Sequence, residues 1–295
     1  MKSFQTLYTL YTSITNNTSS TNTTLGKQLI NDTHRLALRS MEQYLLEKSA
    51  TATTTASTQF YNLPNDYDKL IDVTITVGSY IYRPRQVVNR KDWDSINQTT
   101  YTSDIPQVFY IYNGQVGFYP TPASSSNTIT FLYQKKVKDM TADDYTTGTV
   151  TTLANGGTAL TASGTTFTAA MTNRYIRITS DGFWYPISAF LTTTTLTLGR
   201  AFQGTAIAAG SEAFTIGELP TLPETYQDML VWKPCATYFK QQNDLVRARE
   251  FDAMYQVEFD RMRADYASKS DDVALDQIDY MRIENPNSFP RSIGT

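Results

Sequence analysis

The sequence predicts an α+β fold: a helical bundle with an antiparallel β-sheet region, an inserted small all-β domain (a barrel or a sandwich) and an extended C-terminal tail. Apolar residues recur at helical spacing near both ends of the 295-residue chain. Residues 61–133 show strand-like alternation and a hairpin dipeptide. Residues 148–217 are rich in Thr, Gly and Ala and contain only five charged residues, which indicates a separate β domain. The predicted domains are a core of residues 1–147 and 218–270, an inserted β domain of residues 148–217, and a C-terminal arm of residues 271–295.

Two helices are predicted before the β region. The first has apolar residues at steps of three or four, namely Phe4, Leu7, Tyr8, Tyr11 and Ile14. The second is expected from about Leu25 to Lys48, with a broad apolar face that suits a helix packed on two neighbours. The only histidine, His34, lies on this face, and we interpret it as a hydrogen-bonded core residue and not as a metal ligand. The following run SATATTTAST is interpreted as a linker.

The β region is predicted from local patterns. The segment VTITV at 73–77 alternates as half-buried strands do. The run VFYIYNGQVGFYP predicts a hairpin, because Asn113-Gly114 supplies the two positive-φ residues of a type I′ turn. NRKDWDSIN predicts a short helix or an ordered loop that places Trp93 in the core. MTADDY has capping-box spacing, so we expect a helical turn to begin at Thr141.

Within the inserted domain, Asp181-Gly182 joins YIRITS to FWYPIS and is a strong hairpin signal. TLTLG and AFTIG predict further strands. An aromatic run follows the hairpin dipeptide: Phe183, Trp184 and Tyr185. Its rings either form an exposed sugar-binding platform or fill the core of a small barrel, which is the commoner role of such residues.

The helical pattern returns after the β domain. TLPE at 221–224 has the form of a capping box, and a helix is expected from there to about Asn243, kinked or interrupted near Pro234. Another helix is expected from about Asp244 to Ala267. Its apolar stripe comprises Leu245, Ala248, Phe251, Tyr255, Phe259, Met262 and Tyr266. We interpret this stripe as a core face and the charged remaining faces as a solvated, salt-bridged exterior.

The arm from Asp271 to Thr295 loses this periodicity, and Pro286 and Pro290 disfavour a continuous helix there. Its apolar residues are too many for an inert linker, so we expect the arm to bind a partner subunit. The expected partner-binding residues are Val273, Leu275, Ile278, Tyr280, Met281, Ile283 and Phe289. A disordered terminus is the alternative.

The composition excludes several classes of function. The chain has 25 basic and 28 acidic residues and a formal net charge of -3, which argues against a dedicated binder of the nucleic-acid backbone. With Cys235 as the only cysteine and His34 as the only histidine, disulfides within the chain, Cys/His zinc sites and most triad hydrolases are ruled out. We therefore expect no catalytic, metal or cofactor site. Without a signal-peptide pattern or an apolar stretch of membrane-span length, we expect a cytoplasm-like compartment unless the protein leaves inside a larger particle.

The order of these segments resembles a known family. The segments that carry the resemblance are LINDTHRLALR, YNLPNDYDKLIDVTI, KDWDSIN, GFYPTPASSSNTITFLY and LPETYQDMLVWKPCATYF. In this order they resemble the head-to-tail adaptor (connector) proteins of tailed bacteriophages, up to about Ala267. The segment from TASGTTFTAAMTNRYIRITS to SEAFTIGELPTLPE resembles the β module inserted in some of these adaptors. Pro234 departs from the pattern and leaves the straightness of its helix in doubt.

The resemblance implies a non-enzymatic structural virion protein of the neck, assembled from subunits made in the host cytoplasm. It implies a closed homo-oligomeric ring, usually a dodecamer, beneath the portal and around the channel through which DNA passes during genome ejection, without sequence-specific contacts. The implied partners are copies of this chain, the portal protein, and a tail, nozzle or tail-terminator protein. For the arm, the portal is then the first expected partner and a neighbouring adaptor the second.

Two other classes remain open. A tail-associated or fibre-associated carbohydrate-binding protein would use the inserted β domain, with the aromatic run exposed and aligned. A glycosidase would need two carboxylates held roughly 5 to 10 Å apart in a cleft. Burial of the aromatic run would argue against the first class, and confinement of carboxylates to solvated helix faces against the second.

Overall fold

The computed structural model describes residues 1–41 and 45–267. Within this part of the chain, one compact unit comprises residues 1–40 and 139–267, and a second comprises residues 41 and 45–138. The predicted α+β class is confirmed, since the described residues form five α-helices and three sheets whose pairings are nearly all antiparallel. The helical bundle and the separate inserted domain stay predictions.

Four of the described helices lie in the first unit and one in the second. In chain order they are α1 (Phe4–Thr15), α2 (Ser20–Arg39), α3 (Arg90–Ile96), α4 (Met229–Gln241) and α5 (Leu245–Ala267). α1 and α2 both begin after a serine whose hydroxyl accepts a backbone N–H of the first turn, Ser3 from Thr6 and Ser19 from Asn22. α1 and α2 pack on each other and on α4, and α4 packs on α5.

The second unit contains two four-stranded sheets that share one apolar core. Its strands are β1 (Glu47–Thr53), β2 (Phe60–Asn62), β3 (Tyr67–Val77), β4 (Tyr80–Tyr82), β5 (Arg85–Gln86), β6 (Val108–Tyr112), β7 (Gln115–Tyr119) and β8 (Thr128–Lys135). The spatial orders are β1-β8-β3-β4 and β2-β7-β6-β5, with only β5 and β6 parallel. Buried side chains of both sheets form the core, among them Val73, Ile75, Phe118, Phe131 and Tyr133.

The first unit contains a seven-stranded antiparallel sheet that curves into a half-barrel. Its strands are β9 (Thr149–Leu153), β10 (Ala159–Ser163), β11 (Tyr175–Ile178), β12 (Trp184–Thr192), β13 (Thr195–Leu198), β14 (Ile207–Glu212) and β15 (Phe214–Gly217). The spatial order is β14-β9-β10-β13-β12-β11-β15. Since the two edge strands, β14 and β15, are separated in sequence by Ala213 alone, the sheet must curl toward itself. Its interior holds Phe167, Ile176, Phe202 and Phe214.

Several local predictions are confirmed. Asn113 and Gly114 have φ values of 48° and 74° and connect β6 to β7, as the type I′ turn requires. Asp181-Gly182 lies between the antiparallel strands β11 and β12. The indole of Trp93, on α3, is buried. In each case the signal comes from residues adjacent in sequence.

The predicted end of the second helix is wrong. α2 ends at Arg39, and Lys48 lies in β1. The first half of the predicted linker SATATTTAST, residues 49–53, also belongs to β1, and the second half follows this strand. β1 pairs with β8 over its whole length, from Glu47 opposite Gln134 to Thr53 opposite Thr128. Because this pairing joins residues far apart in sequence, helical periodicity around Met41 does not reveal it.

Two further expectations are wrong. No helical turn begins at Thr141, since the N–H groups of Thr141 and Ala142 donate to the Glu218 carboxylate at 2.5 and 2.9 Å. TLPE does not begin α4: a 3₁₀ turn at Glu224–Tyr226 precedes it, and α4 continues past Pro234 without interruption. Packing of α1, α2 and α5 against α4 outweighs the local cost of the proline.

The contact between α1 and α2 generates a prediction about Gly26. A Cβ at this position would overlap the Tyr11 ring, which is buried and held by a 2.9 Å hydrogen bond from its hydroxyl to Asn22 Oδ1. Alanine gains about 1 kcal/mol in helix propensity, whereas overpacking costs about 1 to 3 kcal/mol. We expect Gly26→Ala to lower the free energy of unfolding, measured by denaturant titration.

The control is Gln28→Ala, an exposed position on the same helix, which should change stability by less than about 0.5 kcal/mol. An increase in stability for Gly26→Ala would show that the Tyr11 ring moves freely and that the close approach is not a constraint.

Candidate functional site

The N-terminus of α1 is the point where three separate segments of the first unit meet. Ser3 Oγ donates to Asp144 Oδ2 at 2.6 Å, and the Phe4 N–H donates to the Glu218 carbonyl at 2.8 Å. Tyr145 and Ile216 exchange two backbone hydrogen bonds of 2.8 Å. The chain therefore enters and leaves the seven-stranded sheet beside the start of α1.

Two neighbouring aspartates at this junction have opposite electrostatic environments. A hydrogen bond from Lys27 and another from the Tyr8 hydroxyl lower the pKa of Asp143. Burial raises the pKa of Asp144, although the hydrogen bond from Ser3 acts in the opposite direction. Both carboxylates are used to join chain segments, which is a structural role and not an acid/base arrangement around a cleft.

A second junction fixes the orientation of α5 on α4. Asp252 of α5 lies between Lys233 and Lys240 of α4, with N–O distances of 2.9 and 2.5 Å. The Phe239 and Phe251 rings stack beside this pair at a centroid distance of 5.6 Å. Burial alone raises the pKa of Asp252, but the hydrogen bonds from both lysines outweigh it, and its pKa is lowered.

The hairpin of β3 and β4 exposes a pair of large apolar side chains in the second unit. Gly78, with a φ of 60°, begins its two-residue turn. Tyr80 is 71% exposed and Ile81 is 68% exposed, although consecutive strand residues point to opposite faces. β4 is also an edge strand, so its outer backbone groups are unpaired in the sheet. The sequence analysis does not predict this surface, and its signal is the apolar pair Tyr80-Ile81 directly after the two-residue turn Gly78-Ser79.

The predicted aromatic run divides between the surface and the core. Phe183 is 70% exposed, while Tyr185 is only 6% exposed and belongs to the half-barrel core. The Trp184 indole N–H donates to the Met1 carbonyl at 3.1 Å, and the Tyr185 hydroxyl donates to Asp181 Oδ2 at 2.7 Å. All three line an open pocket of about 630 Å³ that also includes Arg200. The Trp184 indole N–H and the Tyr185 hydroxyl therefore already have hydrogen-bond partners within the protein.

The one histidine and the one cysteine of the sequence are both core residues. The His34 side chain is buried, and its Nε2 accepts the Thr221 N–H at 3.1 Å, as predicted for a core histidine. Cys235 is buried on α4, and burial raises the pKa of its thiol to about 12. Among residues 1–41 and 45–267, no group of three or more His, Cys, Asp or Glu side chains is arranged to hold a metal ion.

The predicted partner-binding residues of the C-terminal arm lie outside the described residues. They are Val273, Leu275, Ile278, Tyr280, Met281, Ile283 and Phe289. Their role stays a prediction. In the part of the chain that the structure describes, no helix combines the length and apolar character that crossing a membrane requires.

The chain matches the model of a known protein family. The family model described as SU10 adaptor protein matches residues 5–156, slightly more than half of the chain. Among curated proteins, no sequence matches this chain. The matched range begins in α1, crosses the second unit and ends after β9.

The lysine-flanked Asp252 leads to a pH prediction. Since its folded pKa lies below the ordinary value of 3.8, its contribution to stability is present above that value and is lost as pH falls through the folded pKa. We expect Asp252→Asn to lower the free energy of unfolding by about 1 kcal/mol at pH 7 and the deficit to disappear in acid. Denaturant titrations of both proteins across the acid range measure this difference.

Asp68→Asn, on an exposed position of β3, is the matched control and should show no such pH-dependent difference. A deficit for Asp252→Asn that stays constant from neutral to strongly acidic pH would contradict an electrostatic origin.

Proposed function

The chain belongs to the SU10 adaptor protein family of phage head-to-tail adaptors, and we propose that it forms a closed ring in the virion neck, between the portal and the tail. This is a family of structural proteins and not of enzymes. The finer proposals are that the ring contains twelve copies, that it surrounds the DNA channel, and that portal and tail proteins contact its two sides.

The observation that best supports a ring contact is the exposed pair Tyr80 and Ile81 at an edge hairpin. A cyclic ring with more than two copies needs a heterologous interface, in which one patch binds a different patch of the next copy. An exposed apolar hairpin with unpaired backbone groups suits insertion into a groove or addition to a sheet edge of a neighbour. Its burial would also remove two large apolar side chains from water.

The charge balance is consistent with a channel that DNA slides through. A net charge of -3 provides no concentrated positive field to hold phosphates. We therefore propose that the passing DNA is neither gripped nor read by sequence. Assembly in the host cytoplasm before incorporation into the virion belongs to the same proposal.

The carbohydrate-binding alternative has weaker support. A sugar platform needs exposed rings with free polar atoms nearby. Only Phe183 exposes most of its ring, while Tyr185 is in the core and the polar atoms of Trp184 and Tyr185 are engaged within the protein.

The ring proposal predicts the effect of a double substitution in the hairpin. We expect Tyr80→Ser with Ile81→Ser to leave the subunit folded, because both side chains are exposed, but to reduce ring formation with the portal protein. Native mass spectrometry and negative-stain imaging of the mixture measure the assembled fraction. The control is Tyr101→Ser, an exposed aromatic outside any strand. A wild-type chain that stays monomeric with the portal would refute the ring, and normal rings from the double variant would refute the hairpin contact.

The inserted-domain proposal predicts that residues 148–217 can be replaced by a short Gly/Ser linker. Gly217 lies directly against Asp144, so the two attachment points of this segment are near each other. We expect the shortened protein to keep its helices and to unfold cooperatively, as measured by circular dichroism during heating. An aggregated or non-cooperative product would show that the half-barrel is part of the central core.

A further inference from the structure

α5 has two apolar faces, of which one is buried against the rest of the first unit. The buried face comprises Ala248, Tyr255 and Met262, seven residues apart. At about 100° per residue, a second apolar stripe lies on the opposite side of the helix, within a sector of about 40°. This outer stripe consists of Val246, Ala253, Val257 and Ala264. Val246 is 70% exposed and Val257 is 59% exposed, and both alanines are exposed.

Four charged residues border the outer stripe in a specific pattern. Arg249 and Asp260 follow one border, while Glu250 and Arg261 follow the other. Arg249 and Glu250 form no ion pair with any residue in the described part of the chain, and Arg261 reaches only Glu258, at 2.9 Å. Each border therefore carries one positive and one negative charge, near opposite ends of the stripe.

This pattern is complementary to a second copy of itself. We propose that two copies of the chain pair through the outer face of α5, antiparallel and related by a two-fold axis. In an antiparallel pair of helices, each border of one helix faces the same border of the other helix. Glu250 then lies opposite the partner's Arg261, and Arg249 opposite the partner's Asp260, each offset by about one residue along the axis.

The apolar residues distinguish the antiparallel from the parallel arrangement. With the pair centred on Tyr255, Val246 lies opposite the partner's Ala264, and Ala253 opposite the partner's Val257. Every layer then combines a large and a small side chain, which lets the two helices interdigitate evenly. A parallel pair in register would also match charges, but it would place alanine against alanine and valine against valine, which gives uneven packing.

The proposed dimer is distinct from the ring. A two-fold interface is isologous, and it closes at two copies, whereas the ring needs a heterologous contact. The dimer is therefore a state of the free subunit, which covers an apolar face before assembly. A single pair of helices of this length lies at the small end of specific interfaces, so the association is reversible.

The first test is sedimentation velocity of the full chain without portal protein, up to about 100 μM because small interfaces give micromolar affinities. We expect a concentration-dependent dimer that weakens with added salt, since the bordering ion pairs are exposed. Val257→Glu should raise the dissociation constant by about tenfold or more. The hairpin variant Tyr80→Ser with Ile81→Ser should dimerise normally, which separates this interface from the proposed ring contact.

Charge exchange then determines the orientation. Glu250→Arg should weaken the dimer, and adding Arg261→Glu in the same chain should restore it, because the two positions face each other only in the antiparallel pair. Mixed single-cysteine variants Ala253→Cys and Val257→Cys should cross-link to each other more than either does to itself, with the buried Cys235 as a silent background.

Three results would overturn the proposal. The first is a wild-type chain that is monomeric at every concentration. The second is rescue of Glu250→Arg by Arg249→Glu and not by Arg261→Glu, which indicates a parallel pair. The third is a dimer that forms only after truncation at Ser270, which indicates that the arm of the same chain covers the face.

Discussion

The first unit depends on one tethering constraint: the start of α1 is bonded to both ends of the half-barrel segment. Ser3 anchors Asp144 at the entry, and Glu218 at the exit accepts the Phe4 N–H through its carbonyl. The Glu218 carboxylate accepts hydrogen bonds from the N–H groups of Thr141 and Ala142, which precede the entry. The start of the helix, the entry and the exit thus provide hydrogen-bond partners for one another. The two ends of the half-barrel segment are therefore held close together beside the start of α1.

The electrostatics of α4 and α5 determine which face of α5 is available to partners. Asp252 between two lysines and the stacked Phe239 and Phe251 rings fix the rotation of α5 about its axis. Once this face is inside, the heptad spacing of Ala248, Tyr255 and Met262 places Val246, Ala253 and Val257 outside. One side of α5 therefore makes the contacts with α4 that stabilise the fold, and the opposite side carries the surface proposed for dimerisation.

Features encoded by neighbouring residues could be predicted from the sequence, and features that depend on distant pairing could not. Asn113-Gly114 and Asp181-Gly182 determine their hairpins through local backbone preference, so both were predicted correctly. β1 is built from Thr, Ala, Lys and Ser without a strong strand pattern and exists because β8 pairs with it. Thr141 has the spacing of a capping box, but the carboxylate of Glu218, 77 residues away, takes its N–H.

Surfaces suited to assembly are likewise difficult to predict from single residues of the sequence. Taken singly, each charged residue on α5 is typical of a solvated helix face, and a single exposed valine such as Val257 is common on protein surfaces. Only the combined order of Arg249, Glu250, Asp260 and Arg261 around an apolar stripe distinguishes a solvated face from a self-complementary one. β4 carries no charged residue, so Tyr80 and Ile81 have no charge pattern on their own strand that a second copy would match. Symmetry of the charge pattern thus separates a surface suited to a two-fold pair from one suited to a ring.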